Sequence, residues 1–389
     1  MNNKKVAIIS AYNYNYGTVL QATALIKVLN KYVHDITVLD YKKRFNFNQV
    51  KRIINRTLFM SKINVILKNI LLNITMTNRK YVYEKNRKFL LFLNKNIHFS
   101  KTINGYQELK EKIKTYDEVL LGSDQLWNPI NIGTHYFTLE FVPDNIIKNT
   151  YATSFGVTKL TKREAQIMKK CIERIDNVSV REVQAKELIL KSISKKNIEV
   201  CLDPTLLLNQ KEWNQIIPPQ RLVNNKYILA YFVGDQKKYR TIVSEFARLH
   251  GYEVMLIPHV DKYVWSDRPY MNGISMSAGP EEFVNLVRYA EYVFTDSFHG
   301  CIFSIIFQKE FFPFARFKST NRHSMNSRLE SLFLILGIKD RWIKQYKDIE
   351  NVMKDRIDYD LVYDLLREKR EYSINYIKRL YVDEGSTIK

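Results

Sequence analysis

The chain has 389 residues, of which 46% are hydrophobic and 26% are charged, and these values are typical of globular proteins. Its length predicts two domains. No run of about 18 uncharged apolar residues occurs, so we expect no transmembrane helix. Lysine and arginine total 61 against 40 acidic residues, and the formal charge of +21 favours anionic partners. We expect no nucleic-acid partner, because no nucleic-acid-binding motif is present.

The N-terminus and the three cysteines both favour a cytoplasmic protein. The first apolar run is only about six residues long, which predicts a strand rather than a secretory signal. Cys171, Cys201 and Cys301 are far apart and form no CxxC pair. A disulfide framework or a structural zinc site is therefore not expected.

The chain opens with a βαβ pattern, formed by a strand at Val6–Ser10, a helix from about Thr18 to Tyr32, and a strand at Ile36–Leu39. The loop YNYNYGTVLQ has a single glycine, so it is not a dinucleotide-binding GxGxxG motif. Asn15 and Tyr16 in this loop either bond a ligand at the helix N-terminus or serve only to form the turn.

Residues 42–100 are strongly basic and alternate cations with apolar residues, which predicts helices inserted between the second and third strands. A basic amphipathic helix either lies on an anionic membrane surface or packs on its own domain with a solvated lysine face. Residues 42–95 are therefore a candidate membrane-binding segment.

A dense group of polar residues follows the third strand, Asp117–Gly122. Ser123, Asp124, Gln125 and Trp127 come directly after it, at the edge where open α/β sheets bind ligands. A tryptophan ring can stack on a sugar, and aspartate and glutamine can bond its hydroxyls. The alternatives are a core position for the tryptophan and a helix cap for the aspartate.

Further strands are predicted at 149–155, 177–180 and 198–202, and Arg181 follows the second of these. A guanidinium at a strand end is suited to hold a carboxylate or phosphate. The alternative is a surface ion pair with Glu182. A loop rich in Asn and Pro after the last strand marks a domain boundary. We therefore predict an N-terminal domain over 1–208, a C-terminal domain over 209–345 and a helical tail over 346–389.

The second half repeats the strand and helix pattern, and residues 291–318 predict a strand, a turn, a buried helix and a strand. Asp296 or Ser297 can cap this helix, whose N-terminal amides then face an anion. His299, in the turn, either titrates beside that anion or only satisfies a backbone carbonyl. The chain as a whole predicts an α/β fold of two doubly wound, Rossmann-like domains that face a cleft.

Six motifs occur in order across roughly residues 5–340, and together they resemble the polysaccharide pyruvyl transferase family. They are NYGTVLQATAL at 15–25, GSDQLWNP at 122–129, SVREVQA at 179–185, CLDPTLLL at 201–208, GPEEFVNLVRYAEYVFTDSFHGCIFSIIF at 279–307 and NSRLESLFLILGI at 326–338. The resemblance implies a glycosyltransferase-B-like fold and the transfer of pyruvate from phosphoenolpyruvate to two hydroxyls of a sugar, giving a cyclic ketal. The sugar would belong to a cell-surface polysaccharide or its lipid-linked precursor.

The resemblance also implies roles for particular residues. His299 matches the active-site histidine of the family, and Arg181 matches an arginine that holds phosphoenolpyruvate. Family members often have an arginine two positions before this histidine, where the present chain has Ser297. Either the donor differs or another cation takes that place, the candidates being Arg316, Lys318 and Arg328.

The implied chemistry needs a proton donor for the methylene carbon, cations for the carboxylate and phosphate, and a base for the attacking hydroxyl. We expect His299 to be the acid, Arg181 the anion clamp and Asp124 the base, with Ser297 and Gly300 beside the donor. No metal or cofactor is expected, since phosphoenolpyruvate is a co-substrate. The residues expected on the acceptor side are Asn15, Tyr16, Gly17, Gln21, Ser123, Gln125 and Trp127.

Two rival functions stay open at the level of sequence. A nucleotide-sugar-dependent glycosyltransferase would use the same cleft, with a diphosphate at the helix that follows His299. A non-catalytic scaffold for glycan assembly would instead use residues 42–95 to bind the inner face of the plasma membrane.

Overall fold

The computed structural model describes residues 2–12, 14–43, 76–133, 135–193, 197–259, 264–271, 273–316 and 327–382. Most of the predicted basic insertion, residues 44–75, and the predicted donor ligand Lys318 lie outside the described residues.

The first half of the chain is built on a parallel sheet in the order β2-β1-β5-β6, which continues through a Thr153–Val180 bridge to the pair β7-β8. Residues 6–9 of β1 and 119–121 of β5 are buried apolar runs, as expected of central strands covered by helices on both faces. Because every pair is parallel, the carboxyl ends of these strands lie at one edge. The strands are β1 (Asn2–Ile9), β2 (Val33–Val38), β3 (Tyr41–Lys42), β4 (Ile103–Asn104), β5 (Glu118–Leu121), β6 (Ile147–Thr150), β7 (Val178–Val180) and β8 (Ile198–Val200).

Helices connect these strands, and several begin at the polar residues that the sequence places before them. Asn15 caps α1, since its side chain accepts from the amides of Gly17 and Thr18. The helices of this half are α1 (Tyr16–Leu29), α2 (Met76–Asn96), α3 (Tyr106–Ile113), α4 (Pro129–Ile132), α5 (Lys162–Glu173), α6 (Val183–Ser192), α7 (Pro204–Leu207) and α8 (Gln210–Ile216).

The second half has its own parallel sheet, in the order β10-β9-β11-β12. Its strands are β9 (Tyr227–Tyr231), β10 (Glu253–Ile257), β11 (Tyr292–Thr295) and β12 (Glu310–Pro313). A 3-10 helix at Trp265–Tyr270 follows β10. The α-helices are α9 (Lys237–His250), α10 (Gly273–Met276), α11 (Pro280–Tyr289), α12 (Phe298–Ile306), α13 (Ser327–Ile335), α14 (Tyr346–Lys354) and α15 (Tyr359–Tyr381).

The two halves pack directly on each other at the N-terminal end of α1. Tyr16 is fully buried, stacks on Phe283 of α11 at 4.6 Å and donates its hydroxyl to the carbonyl of Ala278 at 2.7 Å. One continuous cluster of buried apolar residues includes members of both halves. The start of α1 is therefore fixed against the second half.

The last helix, α15, returns to the first half. Tyr376 donates its hydroxyl to the carbonyl of Thr150 at 2.9 Å, and Ser373 accepts from the amide of Leu202 at 3.0 Å. The predicted limits of 1–208, 209–345 and 346–389 for two domains and a tail stay a prediction.

Helix α2, the described part of the basic insertion, lies across the boundary between the halves. Phe89 and Phe92 pack into the core, while Lys88 pairs with Glu282 of α11 at 2.6 Å. No helix among the described residues is both long enough and apolar enough to span a bilayer. The opposite face of α2 exposes four large apolar side chains, Val82, Tyr83, Leu90 and Leu91.

Candidate active site

The two sheets bring their carboxyl edges together around His299, which lies in the first turn of α12. Ser297 caps this helix by accepting from the amide of Gly300 at 3.3 Å. Gly300 allows the helix to approach β11 closely, because a Cβ there would lie 2.4 Å from the hydroxyl oxygen of Thr295. The histidine side chain is 9% exposed, and its ring points away from its own domain toward the first half of the chain.

Two groups from the first half face the imidazole ring. The carboxylate of Asp203 lies with Oδ2 at 3.6 Å from Nε2 of His299. On the other side is Gly17 in the first turn of α1, where a Cβ would lie 2.1 Å from Nδ1. The Nε2 atom is buried and makes no hydrogen bond with any described residue. The ring is thus held at the boundary between the halves, with Nε2 directed toward Asp203 and Nδ1 toward Gly17.

Arg181 follows β7 and lies among three carboxylates. Its Nη1 donates to Asp203 at 2.7 Å, and Asp124 and Glu182 each lie 3.8 Å from other guanidinium nitrogens. Burial opposes the charge, but these three carboxylates outweigh it and raise the pKa of Arg181. Its Nε and Nη2 are buried without a hydrogen bond to the part of the chain that the structure describes. Such unsatisfied donors are costly, and they are available to a ligand.

A second guanidinium, that of Arg328, lies over the same aromatic ring as the first. The centres of Arg181 and Arg328 lie 4.7 Å and 5.2 Å from the ring centroid of Phe298. With its oxygen oriented toward Arg328, the carboxamide of Gln125 accepts from that guanidinium at 3.2 Å. No carboxylate among the described residues lies within ion-pair distance of Arg328. Within the described part of the chain, Arg328 therefore has an amide partner and no carboxylate at ion-pair distance.

The third guanidinium is that of Arg316, whose Nη2 donates to the carbonyl of Asp296 at 3.2 Å. Burial, followed by repulsion from Arg181 and Arg316, lowers the pKa of Arg328 to about 9. The three arginines are therefore close enough to repel one another, and an anion among them would remove that repulsion. Arg181, Arg316 and Arg328 are the arginines that the sequence predicts as donor ligands, and that role stays a prediction.

A small cavity opens beside these groups. Its polar wall consists of Arg181, Glu182, Asp203 and Arg328, and its apolar wall of Leu202, Leu206, Phe298, Leu332 and Ile335. Its volume is about 20 Å³, so the charged and apolar walls must separate to admit a ligand larger than a water molecule. Over the described ranges, no three His, Cys, Asp or Glu side chains are grouped as metal ligands.

Asp124, the predicted base, lies at the end of β5 with an unusual backbone. Its φ angle is 85°, in the left-handed region that costs a residue with a side chain about 1–3 kcal/mol. This conformation accompanies a carboxylate that faces Arg181 and is 17% exposed. Residues in strained conformations are concentrated at functional sites, so the placement favours a functional role.

The residues predicted for the acceptor side divide into two groups. Gln125 and Gly17 lie beside the arginines and the histidine, and Asn15 is exposed at the start of α1. Four others are fully buried in the protein interior and expose no surface to a sugar, namely Tyr16, Gln21, Ser123 and Trp127. The indole N–H of Trp127 donates to the carbonyl of Phe137. Trp127 therefore has the core position that was the alternative to sugar binding.

Two residues of the site were not among the sequence-predicted ligands. Asp203 contacts both His299 and Arg181; burial raises its pKa, but these two neighbours together lower it below the ordinary range. Glu182 lines the cavity, and burial raises its pKa despite the nearby Arg181. Two features of the sequence could have indicated them. Asp203 stands directly before a proline at a helix start, and Glu182 is the acidic residue directly after Arg181.

The two parallel sheets and the helices that connect their strands define the glycosyltransferase-B fold. Three solved structures with this fold are similar to the chain, each at 12% identity. One is the UDP-GlcNAc 2-epimerase of Neisseria meningitidis bound to UDP-GlcNAc, with a TM-score of 0.52 and an alignment that covers 98% of both chains. The second is a putative UDP-N-acetylglucosamine 2-epimerase of Listeria monocytogenes, with a TM-score of 0.51 and 98% of both chains covered. The third is S. aureus MnaA with UDP, with a TM-score of 0.51, covering 97% of this chain and 96% of MnaA. At this identity the likeness shows the fold alone.

The chain belongs to the polysaccharide pyruvyl transferase family, whose model matches residues 15–318. This match confirms the resemblance found in the motifs, and membership indicates a transferase with a sugar or polysaccharide acceptor. The predicted fold class of two doubly wound domains is likewise confirmed. A search of curated protein sequences found no match.

Proposed function

We propose that this protein transfers the pyruvyl group of phosphoenolpyruvate to two hydroxyls of a sugar and so forms a cyclic ketal. The observation that carries the proposal is Arg328, a guanidinium beside Arg181 and Arg316 that has no carboxylate partner among the described residues. Phosphoenolpyruvate supplies a carboxylate and a phosphate, and arginine binds both groups through paired hydrogen bonds. Its apolar methylene group suits the leucine and phenylalanine wall of the cavity.

Ser297 stands where family members often have an arginine, and Arg328 compensates for it in this proposal. The guanidinium of Arg328 reaches the ring of Phe298, the residue between Ser297 and His299. A cation from α13 thus takes the position that the histidine loop lacks. Lys318 stays a further candidate donor ligand, and it lies outside the described residues.

The first step of the proposed reaction is proton transfer from His299 to the methylene carbon, which becomes a methyl group. The adjacent carbon gains oxocarbenium character, and a sugar hydroxyl attacks it while Asp124 accepts the hydroxyl proton. Phosphate then leaves with the electrons of its carbon–oxygen bond, and the neighbouring hydroxyl attacks the same carbon. Of the two hydroxyl protons, one replaces the proton given to the methyl group and the other leaves with phosphate. Arg181 stabilises the negative charge that grows on the leaving phosphate.

The acceptor in this proposal is a sugar of a cell-surface polysaccharide or its lipid-linked precursor. Asn15 is exposed and Gln125 is partly exposed beside Arg328, so in this proposal their amides bond sugar hydroxyls. The buried residues Tyr16, Gln21, Ser123 and Trp127 act in this proposal by shaping the walls behind them. Acceptors carried on lipid are used at a membrane surface.

We propose that the exposed face of α2 binds the anionic inner face of the plasma membrane. Tyr83 is 71% exposed, and Leu90 and Leu91 are about half exposed. Lys80 and Arg87 lie on the exposed side of the same helix. Aromatic and aliphatic side chains flanked by cations are the pattern of helices that lie in a lipid interface.

The test is incubation with phosphoenolpyruvate and a panel of lipid-linked and nitrophenyl sugars, with mass spectrometry for the addition of pyruvate less water. His299→Ala should reduce product formation at least about a hundredfold, because it removes the acid. His34→Ala, an exposed histidine on β2, is the matched control and should keep full activity. Near-normal turnover by His299→Ala would contradict the assignment.

Donor binding is measured separately by calorimetry. Arg181→Ala should weaken phosphoenolpyruvate binding more than acceptor binding, because the guanidinium faces only the donor in this scheme. Equal losses for both ligands would contradict the clamp. Parallel titrations with nucleotide sugars decide between this function and a glycosyltransferase, since only one donor class should bind and be consumed.

A further inference from the structure

Asp203 lies between the two halves of the site, and its two carboxylate oxygens have separate partners. Oδ1 accepts from the amide and the hydroxyl of Thr205 at 3.0 and 2.6 Å, and so caps α7. Oδ2 accepts from Nη1 of Arg181 at 2.7 Å and faces Nε2 of His299 at 3.6 Å. Oδ1 thus caps a helix, and Oδ2 faces Arg181 and His299, the two residues to which we assign the chemistry.

We infer that Asp203 is a positioning residue, which orients the imidazolium of His299 and fixes the guanidinium of Arg181 so that acid and anion clamp face the same ligand. This inference rests on the proposed function, because it concerns the same site. It goes beyond that function by identifying the group that couples a histidine of the second half to an arginine of the first.

The surroundings of Asp203 favour a charged role over a purely structural one. The residue is 2% exposed, so its attraction to a cation is little screened by water. The ionisable groups that face it are Arg181, His299 and the phenol of Tyr151. Burial raises its pKa, yet His299 and Arg181 together lower it below the usual range for aspartate, so it is ionised at neutral pH.

Asp203→Asn separates the two roles of the side chain. Asparagine is as good a helix cap as aspartate, so the bonds to Thr205 are retained. Its amide nitrogen, however, replaces the oxygen that faces Arg181 and His299. This nitrogen donates hydrogen bonds and cannot accept them from the guanidinium or from the imidazolium. Thr205→Val is the matched control, because it weakens the cap on Oδ1 and leaves Oδ2 unchanged.

The experiment measures kcat, KM for phosphoenolpyruvate, the pH profile and the thermal midpoint of each variant. For Asp203→Asn we expect kcat/KM to fall about a hundredfold. The alkaline limb of its kcat profile should move about one unit or more to lower pH, because the imidazolium has lost its anion. Thr205→Val should melt at lower temperature and keep the wild-type pH profile. Wild-type kcat/KM in Asp203→Asn, or an equal loss in Thr205→Val, would overturn the inference.

A readout without substrate keeps the inference independent of the donor. The ring nitrogens of His299, identified in nitrogen-15 NMR spectra by comparison with His299→Ala, are titrated in the wild type and in Asp203→Asn. The ring should lose its proton at lower pH in the variant, and identical titrations would overturn the inference. Failure of the wild type to make a pyruvylated product would instead contradict only the proposed function.

Discussion

Gly17→Ala tests the placement of His299, the proposed acid, without changing any charged group. Gly17 is in the first turn of α1, and its neighbour across the domain boundary is the ring of His299. The added Cβ would lie 2.1 Å from Nδ1, 2.6 Å from Cε1 and 2.7 Å from Cγ of that ring. We expect the methyl group to displace the imidazole from Asp203 and from the donor.

The size of the effect follows from these distances. Non-bonded atoms need about 3.5 Å, so the ring and the helix must separate by about 1.4 Å, the difference between 3.5 and 2.1 Å. A displacement of about 1 Å at a reacting group costs about a hundredfold in rate. Overpacking costs about 1–3 kcal/mol, and the gain of about 1 kcal/mol in helix propensity from glycine to alanine offsets part of it. The variant should therefore fold and lose kcat about a hundredfold.

The assay measures kcat and KM for phosphoenolpyruvate, with chemical denaturation as the measure of stability. KM should change less than kcat, because the arginines are not touched. Gly133→Ala is the matched control, since no atom lies within 4 Å of its added methyl group and its φ of −69° suits any residue. It should have wild-type kcat.

A double variant tests whether Gly17→Ala acts through His299. If Gly17→Ala acts by moving the ring of His299, it should cause no further loss of activity in a His299→Ala background. Additive losses in the double variant, or a Gly17→Ala enzyme with kcat within about threefold of wild type, would refute the argument.

Two further predictions concern helix α2. Lys85 is 4% exposed and has no hydrogen bond or ion pair with a described residue, and burial lowers its pKa from 10.5 to about 8. Its buried charge therefore destabilises the fold below about pH 8, and this destabilisation disappears above about pH 10.5. Lys85→Met should increase the free energy of unfolding at neutral pH by up to about 3 kcal/mol. A variant that is less stable than the wild type in urea denaturation would contradict this prediction. Leu90→Asp should reduce sedimentation with anionic vesicles while Leu249→Asp, an equally exposed control on α9, should not; equal binding by both variants would contradict the membrane face.

The strands could be predicted from the sequence because each is a short apolar run between polar turns. The first strand predicted within residues 291–318 is the observed β11, and the predicted Val6–Ser10 ends one residue beyond β1. Parallel pairing follows from the alternation of strands and helices, since such strands need helical crossovers. Family membership and the location of the site at the strand ends follow from the same local patterns.

The direction of individual side chains could not be predicted in this way. Ser123, Asp124 and Trp127 follow one strand and read equally well as ligands, yet only Asp124 faces Arg181. The chain turns at Asp124 through a positive φ angle, and an aspartate in sequence does not indicate that angle. The serine and the tryptophan are directed into the core as a result.

Contacts across the domain boundary were also beyond local patterns. Gly17 is distant in sequence from His299, and neither hydrophobic period nor turn chemistry relates the two. Asp203 precedes a proline at a helix start, and helix capping alone would explain an aspartate at this position. Its second role depends on which domain faces it, and only the tertiary structure provides that information.

The division of the site between the halves has a consequence for catalysis. The first half contributes the carboxylates of Asp124 and Asp203 together with Arg181, and the second contributes His299 and Arg328. Neither half alone places an acid beside a pair of guanidinium groups. Because Asp203 faces the imidazole from the opposite half, a movement of one half relative to the other would change the distance between the two groups. In the proposed mechanism, proton transfer from His299 therefore requires the arrangement in which the two halves hold His299 and Asp203 face to face.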